Sequence, residues 1–211
     1  MKATTSMKKT KNRNFVGSGN PVLSTLAAIV LAAGLGAATS VYAQGLADMK
    51  AHMQKQMKIM KPELKEKVKS LSMDTKMSMM AIMAMHSRNS DKATLRQVMI
   101  EVLHDYQGMV TGIMTENVEM TADSARRLAN HRIPRGGLLA YIGLDNITDE
   151  KLASLDGFNT AVEGGAKRIA EAAEAGDFAT AGAVLGEMAT GCVNCHKVFR
   201  EYPGKSDLLM D

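Results

Sequence analysis

The sequence predicts an all-α protein, an antiparallel four-helix bundle preceded by a helical, methionine-rich extension. Three observations carry that prediction. From Asp91 onward apolar residues return at intervals of three and four. Period-two alternation is nearly absent over the same stretch, and Gly, Pro and capping residues divide it into four long segments.

Leu95, Val98, Met99, Val102, Tyr106, Met109, Val110 and Ile113 mark a first helix over about 91–116. A second is expected from an N-cap at Thr121 through Ala122, Ala125, Leu128 and Ala129, ended by Ile133-Pro134-Arg135-Gly136-Gly137. Thr148-Asp149-Glu150 opens a third, with Leu152, Leu155, Phe158, Val162 and Ile169 on its apolar side, closing at Gly176. Asp177 caps the fourth, which carries Phe178, Val184, Leu185, Met188, Cys192, Cys195, His196 and Phe199. Short links between four such helices imply antiparallel packing around a shared interior, a natural place for a cofactor.

The N-terminus reads as an export signal over residues 1–43. Lys2, Lys8, Lys9, Lys11 and Arg13 come without an acid, an apolar run follows over 22–38, and Val41-Tyr42-Ala43 puts small residues where cleavage before Gln44 needs them. An uncleaved anchor is the competing reading, weakened by Gly34, Gly36, Thr39 and Ser40. The full chain has 26 Lys and Arg against 22 Asp and Glu, but beyond residue 43 the balance is 21 against 22. The basic character therefore belongs to the leader, and nucleic-acid binding loses its electrostatic basis. The exported part divides by charge, residues 44–90 at +5 and residues 91–211 at −6, with a polar boundary at Ser87–Asp91. The expected organisation is an extension over 44–90, a bundle over 91–203 and a tail over 204–211.

The only two cysteines stand in Cys192-Val193-Asn194-Cys195-His196, the spacing by which c-type haem is attached. Residues i, i+3 and i+4 share one helical face, so both sulfurs and the imidazole can address one flat ligand. A structural zinc would need two further ligands from distant histidines. A thioredoxin-like pair would open a helix after a strand, whereas this pair lies deep in a helical pattern. A disulfide between residues three apart in a helix strains the required geometry. Haem attachment outside the bacterial cytoplasm and an export signal reinforce each other, so the periplasm is the expected location.

Ala175-Gly176-Asp177 before the last helix and Cys192-Val193-Asn194-Cys195-His196-Lys197-Val198-Phe199-Arg200 within it resemble the class II c-type cytochromes, the cytochrome c′ family. Arg96 and Thr121-Ala122-Asp123 fall where similar residues occur in that family. The resemblance covers residues 91–203, and the absence of Trp departs from many members. It implies one covalent haem ligated by His196, with Arg96, Gln97 and Ile100 beside the cofactor, and it suggests a homodimer. Ile100, four residues after Arg96, would face the distal side of the iron, leave it five-coordinate and admit nitric oxide or carbon monoxide. Met99 is the rival: a one-residue step turns a side chain about 100° around the helix, so only one of the two can face the metal. A ligating Met99 would give a six-coordinate electron carrier, whereas Met on an apolar stripe is otherwise ordinary core. Arg200, one turn beyond His196, can pair with a haem propionate or stand solvated near the helix end. His104 could approach the rim of the pocket.

The extension holds ten of the chain's eighteen methionines, with Met49, His52, Met53, Met57 and Met60 on one helical face, Met73, Met77 and Met80 on another, and Pro62 between. Thioethers suit Cu(I), so copper binding is one reading and a packed methionine hairpin the other. No nucleophile–base pair, phosphate loop or paired-carboxylate motif emerges, so an enzyme is not expected. The functional classes that remain are an electron carrier serving redox partner proteins, a gas binder, and a copper-handling protein.

Overall fold

Capping and breaking residues set the helices. A computed structural model describes residues 51–200, 204 and 206–210; the expected leader lies outside them. Helix α1 occupies 51–59. Pro62, whose missing N–H costs nothing in a first turn, opens α2 (Pro62–Ser70), and Ser72 caps α3 (Met73–Ala84) by accepting from the Thr75 amide. Helix α4 (Leu95–Met114) starts at a capping box between Thr94 and Gln97, later than the expected residue 91. Helix α5 (Val118–Ala129) is capped by Asn117 rather than Thr121. Glu116 takes the left-handed conformation (φ 51°) between α4 and α5, and the Asn117 amide donates to the Gly112 carbonyl at 2.8 Å.

The expected third helix is broken. Thr148 does cap its start, but the segment runs as α6 (Asp149–Leu152), α7 (Leu155–Asn159), a π turn (Thr160–Gly164) and α8 (Gly165–Glu174). Gly176 (φ 74°) ends it, and Asp177 caps the uninterrupted α9 (Phe178–Phe199) through the Thr180 amide. The protein is all-α, and no strand occurs among the described residues.

Helix α4 packs along α5, α5 along α8, and α8 along α9; α9 meets α4 over a shorter length. One apolar core lies among these four, built from Met109, Ala125, Leu128, Ile169, Val184 and Met188. A second joins Met60, Leu64 and Leu71 of the extension to Leu139, Ile142, Ile147, Leu152, Phe199 and Leu209. Asp48–Asp211 accordingly forms one unit, and the extension shares its core with the residues beyond Asp91. The tail is pinned as well: Lys61 N–H donates to the Leu208 carbonyl at 2.9 Å and Met210 N–H to that of Ile59 at 2.7 Å. No helix among the described residues is long and apolar enough to cross a membrane.

Candidate functional site

Cys192, Cys195 and His196 all fall in the last turns of α9, on unbroken helix. Both thiols are free and half-buried, and His196 is exposed. The two sulfurs straddle the meeting of the two cores, Cys192 packing against the first and Cys195 against the second beside Leu95, Phe158 and Phe199. Phe158 and Phe199 meet edge to face, 6.2 Å between ring centres. Gly191 makes the close approach on this face possible, because a Cβ there would stand 2.9 Å from that of Ala161.

Burial raises both thiols, Glu163's carboxylate adds to the effect, and Cys195 is pushed up to about 11. A redox dithiol needs the opposite shift, because the thiolate is the reactive form. Position argues the same way, since the pair lies far from the helix N-terminus that would stabilise a thiolate. Burial, with Arg200 nearby, lowers His196, and among the described residues its ring has no hydrogen-bond partner. A neutral imidazole with a free lone pair beside two unpaired thiols is the donor set that covalent haem requires, and these residues fit it.

The opposite helix is α4. Tyr106 donates to the Leu185 carbonyl at 3.5 Å, and a Cβ on Gly182 would lie 3.8 Å from Ile113, so numbers fall on α9 as they rise on α4. Two antiparallel helices of equal rise carried on in this register bring the Met99 turn level with the cysteine pair. Met99 is half-buried, at helical spacing from Leu95, Val102 and Tyr106, of which Tyr106 reaches α9. Ile100 falls on the outer face, 60% exposed, in an open hollow with Gln97, Glu101 and Arg132. Of the two positions on α4, Met99 is thus the half-buried one and Ile100 the exposed one. The Gln97 side-chain oxygen accepts from the Thr94 amide in the capping box. Arg96 is exposed and lies against Gly204, Arg200 is exposed at the end of α9, and His104 is exposed on α4.

The methionines of the extension separate into two groups. Met57, Met60 and Met79 pack in the second core, whereas Met73 and Met77 are 69% and 56% exposed on α3. Met49 lies outside the described residues.

A second cluster had no motif to announce it. His86 follows α3, His131 follows α5, and Glu163 sits in the π turn; their donor atoms all lie within 4.8 Å of one another. The His86 and His131 rings are 4.6 Å apart between centres. Burial and the neighbouring His131 lower His86; burial pulls His131 down too, but Glu163 and the Arg132 carbonyl outweigh it and raise the net value. The cluster depends on tertiary contact between distant segments, which no spacing along the chain announces.

Comparison with protein-family models, curated proteins and solved structures finds no match for this chain.

Proposed function

We propose that this chain is an exported haem c protein that carries electrons, its haem bonded through Cys192 and Cys195 and ligated by His196. The observation that carries the reading is the placement of both sulfurs and the free imidazole on one face of unbroken α9, with Cys192 packed on the first core and Cys195 on the second, which holds Leu95, Phe158 and Phe199. When bound, the haem supplies one-electron chemistry at its iron. Phe158, Phe199 and Leu95 exclude water from one side, which raises the energetic weight of every charge left near the site. Arg200 and Arg96 offer guanidinium groups to propionates, and Arg200 disfavours protonation of His196.

The chain of neighbours α4–α5–α8–α9 and back to α4 supports a four-helix bundle of the cytochrome c′ kind, with α6, α7 and the extension closing one end. Met99, half-buried on α4, is the residue that would supply a second donor to the iron if the haem is bound, and the protein would then be an electron carrier and not a gas binder. The gas-binding reading needs Ile100 over an open site, and Ile100 points outward here. Redox proteins of the periplasm are the partners this function requires.

Absorption spectra of the purified protein, oxidised and reduced, with and without carbon monoxide, test the reading together with haem staining on a denaturing gel. We expect covalent haem that disappears from the Cys192→Ala/Cys195→Ala variant. Covalent haem retained in that variant, or no haem in the wild type after export with the haem-attachment machinery, overturns the proposal.

A further inference from the structure

We propose that His86, His131 and Glu163 bind one divalent first-row transition-metal ion such as Zn2+, at a site distinct from the cysteine motif. Backbone carbonyls fix the tautomers of the two imidazoles. His86 Nδ1 lies 3.0 Å from the Ile82 carbonyl and His131 Nδ1 lies 3.0 Å from the Arg132 carbonyl. A carbonyl oxygen only accepts, so each Nδ1 carries the hydrogen; His86 Nε2 then presents a lone pair, and His131 Nε2, which holds a proton toward Glu163 in the absence of an ion, presents one when a metal displaces that proton. Backbone carbonyls holding Nδ1–H are also the usual means of orienting a metal-bound histidine.

The two Nε2 atoms converge on one carboxylate. His131 Nε2 stands 3.2 Å from Glu163 Oε1, and His86 Nε2 stands 4.0 Å from the same oxygen. The side chains are 4% exposed at His86 and 13% exposed at Glu163, so water does not compensate them. One proton on His131 satisfies one pair and leaves His86 Nε2 and Glu163 Oε2 without partners. Both atoms are buried and unpartnered among the described residues, and the third such atom is Asn159 Oδ1, one turn before Glu163 on the same helical segment. Leaving several lone pairs facing one another in the interior is costly, and a cation among them satisfies all at once.

The dimensions and the chemistry suit such an ion. Nitrogen and oxygen donors bound at about 2.0–2.1 Å around a tetrahedral ion lie roughly 3.3 Å apart. The His131–Glu163 pair is already at that spacing; His86 has to close by less than 1 Å on the carboxylate, from 4.0 Å, and by up to about 1.5 Å on His131, since the three donors lie within 4.8 Å of one another. Two imidazoles and a carboxylate select divalent transition ions over Ca2+ or Mg2+, which take mainly oxygen, and over Cu(I), which takes sulfur. Water would supply the fourth donor. The π turn is part of the device: it shifts the register of the helix at Thr160–Gly164 and aims Glu163 at the two histidines.

The experiment titrates the full exported chain with Zn2+ against a chromophoric chelator, and with Co2+ for its visible absorption bands. The wild type, Glu163→Gln, His131→Ala and Cys192→Ala/Cys195→Ala are compared, with circular dichroism as the check on folding. We expect one ion per chain in the wild type and in the cysteine variant, and a loss of affinity of about tenfold or more in the other two. A wild-type rise in melting temperature on adding Zn2+ supplies a readout that does not depend on the variants. No uptake by the wild type overturns the site, as does uptake lost with the cysteines and retained in Glu163→Gln and His131→Ala.

Discussion

The Tyr106 hydroxyl donates to the Leu185 carbonyl, 3.5 Å away, and sets α4 against α9 in one antiparallel register. From that point seven residues back along α4 lead to Met99, and the same rise along α9 leads to the cysteine pair. A low-spin haem spectrum is therefore expected for the wild type. Met99→Ala should convert it to a high-spin spectrum that responds to carbon monoxide, and Ile100→Ala should leave it low-spin. A high-spin wild type altered by Ile100→Ala and indifferent to Met99→Ala would return the distal side to Ile100 and the function to gas binding.

The methionines of the extension should respond in two classes. Met60 is buried in the second core, which also holds Leu64 and Leu209, so Met60→Ala should cost about 2–5 kcal/mol of stability in chemical denaturation. Met73 and Met77 stand in solvent, so Leu at both, with Met80→Leu added, should change stability by less than about 0.5 kcal/mol per site. The same triple variant tests copper. Loss of Cu(I) uptake with an unchanged haem spectrum would assign α3 a metal role, and undiminished uptake would leave these thioethers without one.

Helix α9 was legible from end to end because its signals are local: Asp177 caps it, its apolar residues keep one period, and the haem motif sits within it. The start of α5 was not. Val118, Glu119 and Met120 are exposed and carry no apolar period, so Thr121 looked like the first capped residue although Asn117 takes the cap. The π turn escaped notice for another reason. Its shifted hydrogen bonds leave the spacing of Phe158, Val162 and Ile169 within helical tolerance while turning Glu163 inward. Ile100 and Met99 differ by one position, a separation that a motif register cannot resolve; on α4 Met99 is half-buried and Ile100 exposed. The His86–His131–Glu163 cluster brings three segments together, and no spacing in the chain encodes such a meeting.

The crossing of α4 and α5 depends on small residues. A Cβ on Gly112 would stand 2.8 Å from the Thr121 backbone nitrogen, against a wall that cannot turn aside as a side chain can. Gly112→Ala should destabilise the fold by about 1–3 kcal/mol in chemical denaturation. Gly186 has open space around it on α9, so Gly186→Ala should be neutral or slightly stabilising, helped by alanine's better helix propensity. Equal effects from the two substitutions would show that the α4–α5 approach is looser than this geometry requires.

The docking of α3 should weaken in acid, and the sign follows from one carboxylate. Asp149, at the start of α6, bonds the Thr75 side chain and accepts from the Ser72 amide at 2.9 Å, which ties it to the N-terminal turn of α3. These hydrogen bonds, the one to Thr75 first, hold its pKa below the ordinary 3.8. A carboxyl group whose folded value is depressed contributes stability that is complete above the unfolded value and disappears as pH falls through the folded one. Above pH 3.8 the tether should therefore be intact, and acidification below that value should release it. Hydrogen exchange at the Ser72 amide, corrected for the intrinsic pH dependence of exchange, is the direct measurement. Protection should fall through this range in the wild type, whereas Asp149→Asn should be less protected at neutral pH and show little further loss in acid. An equal acid-induced loss in both proteins would assign the transition to other carboxylates and leave Asp149 without a part in holding α3.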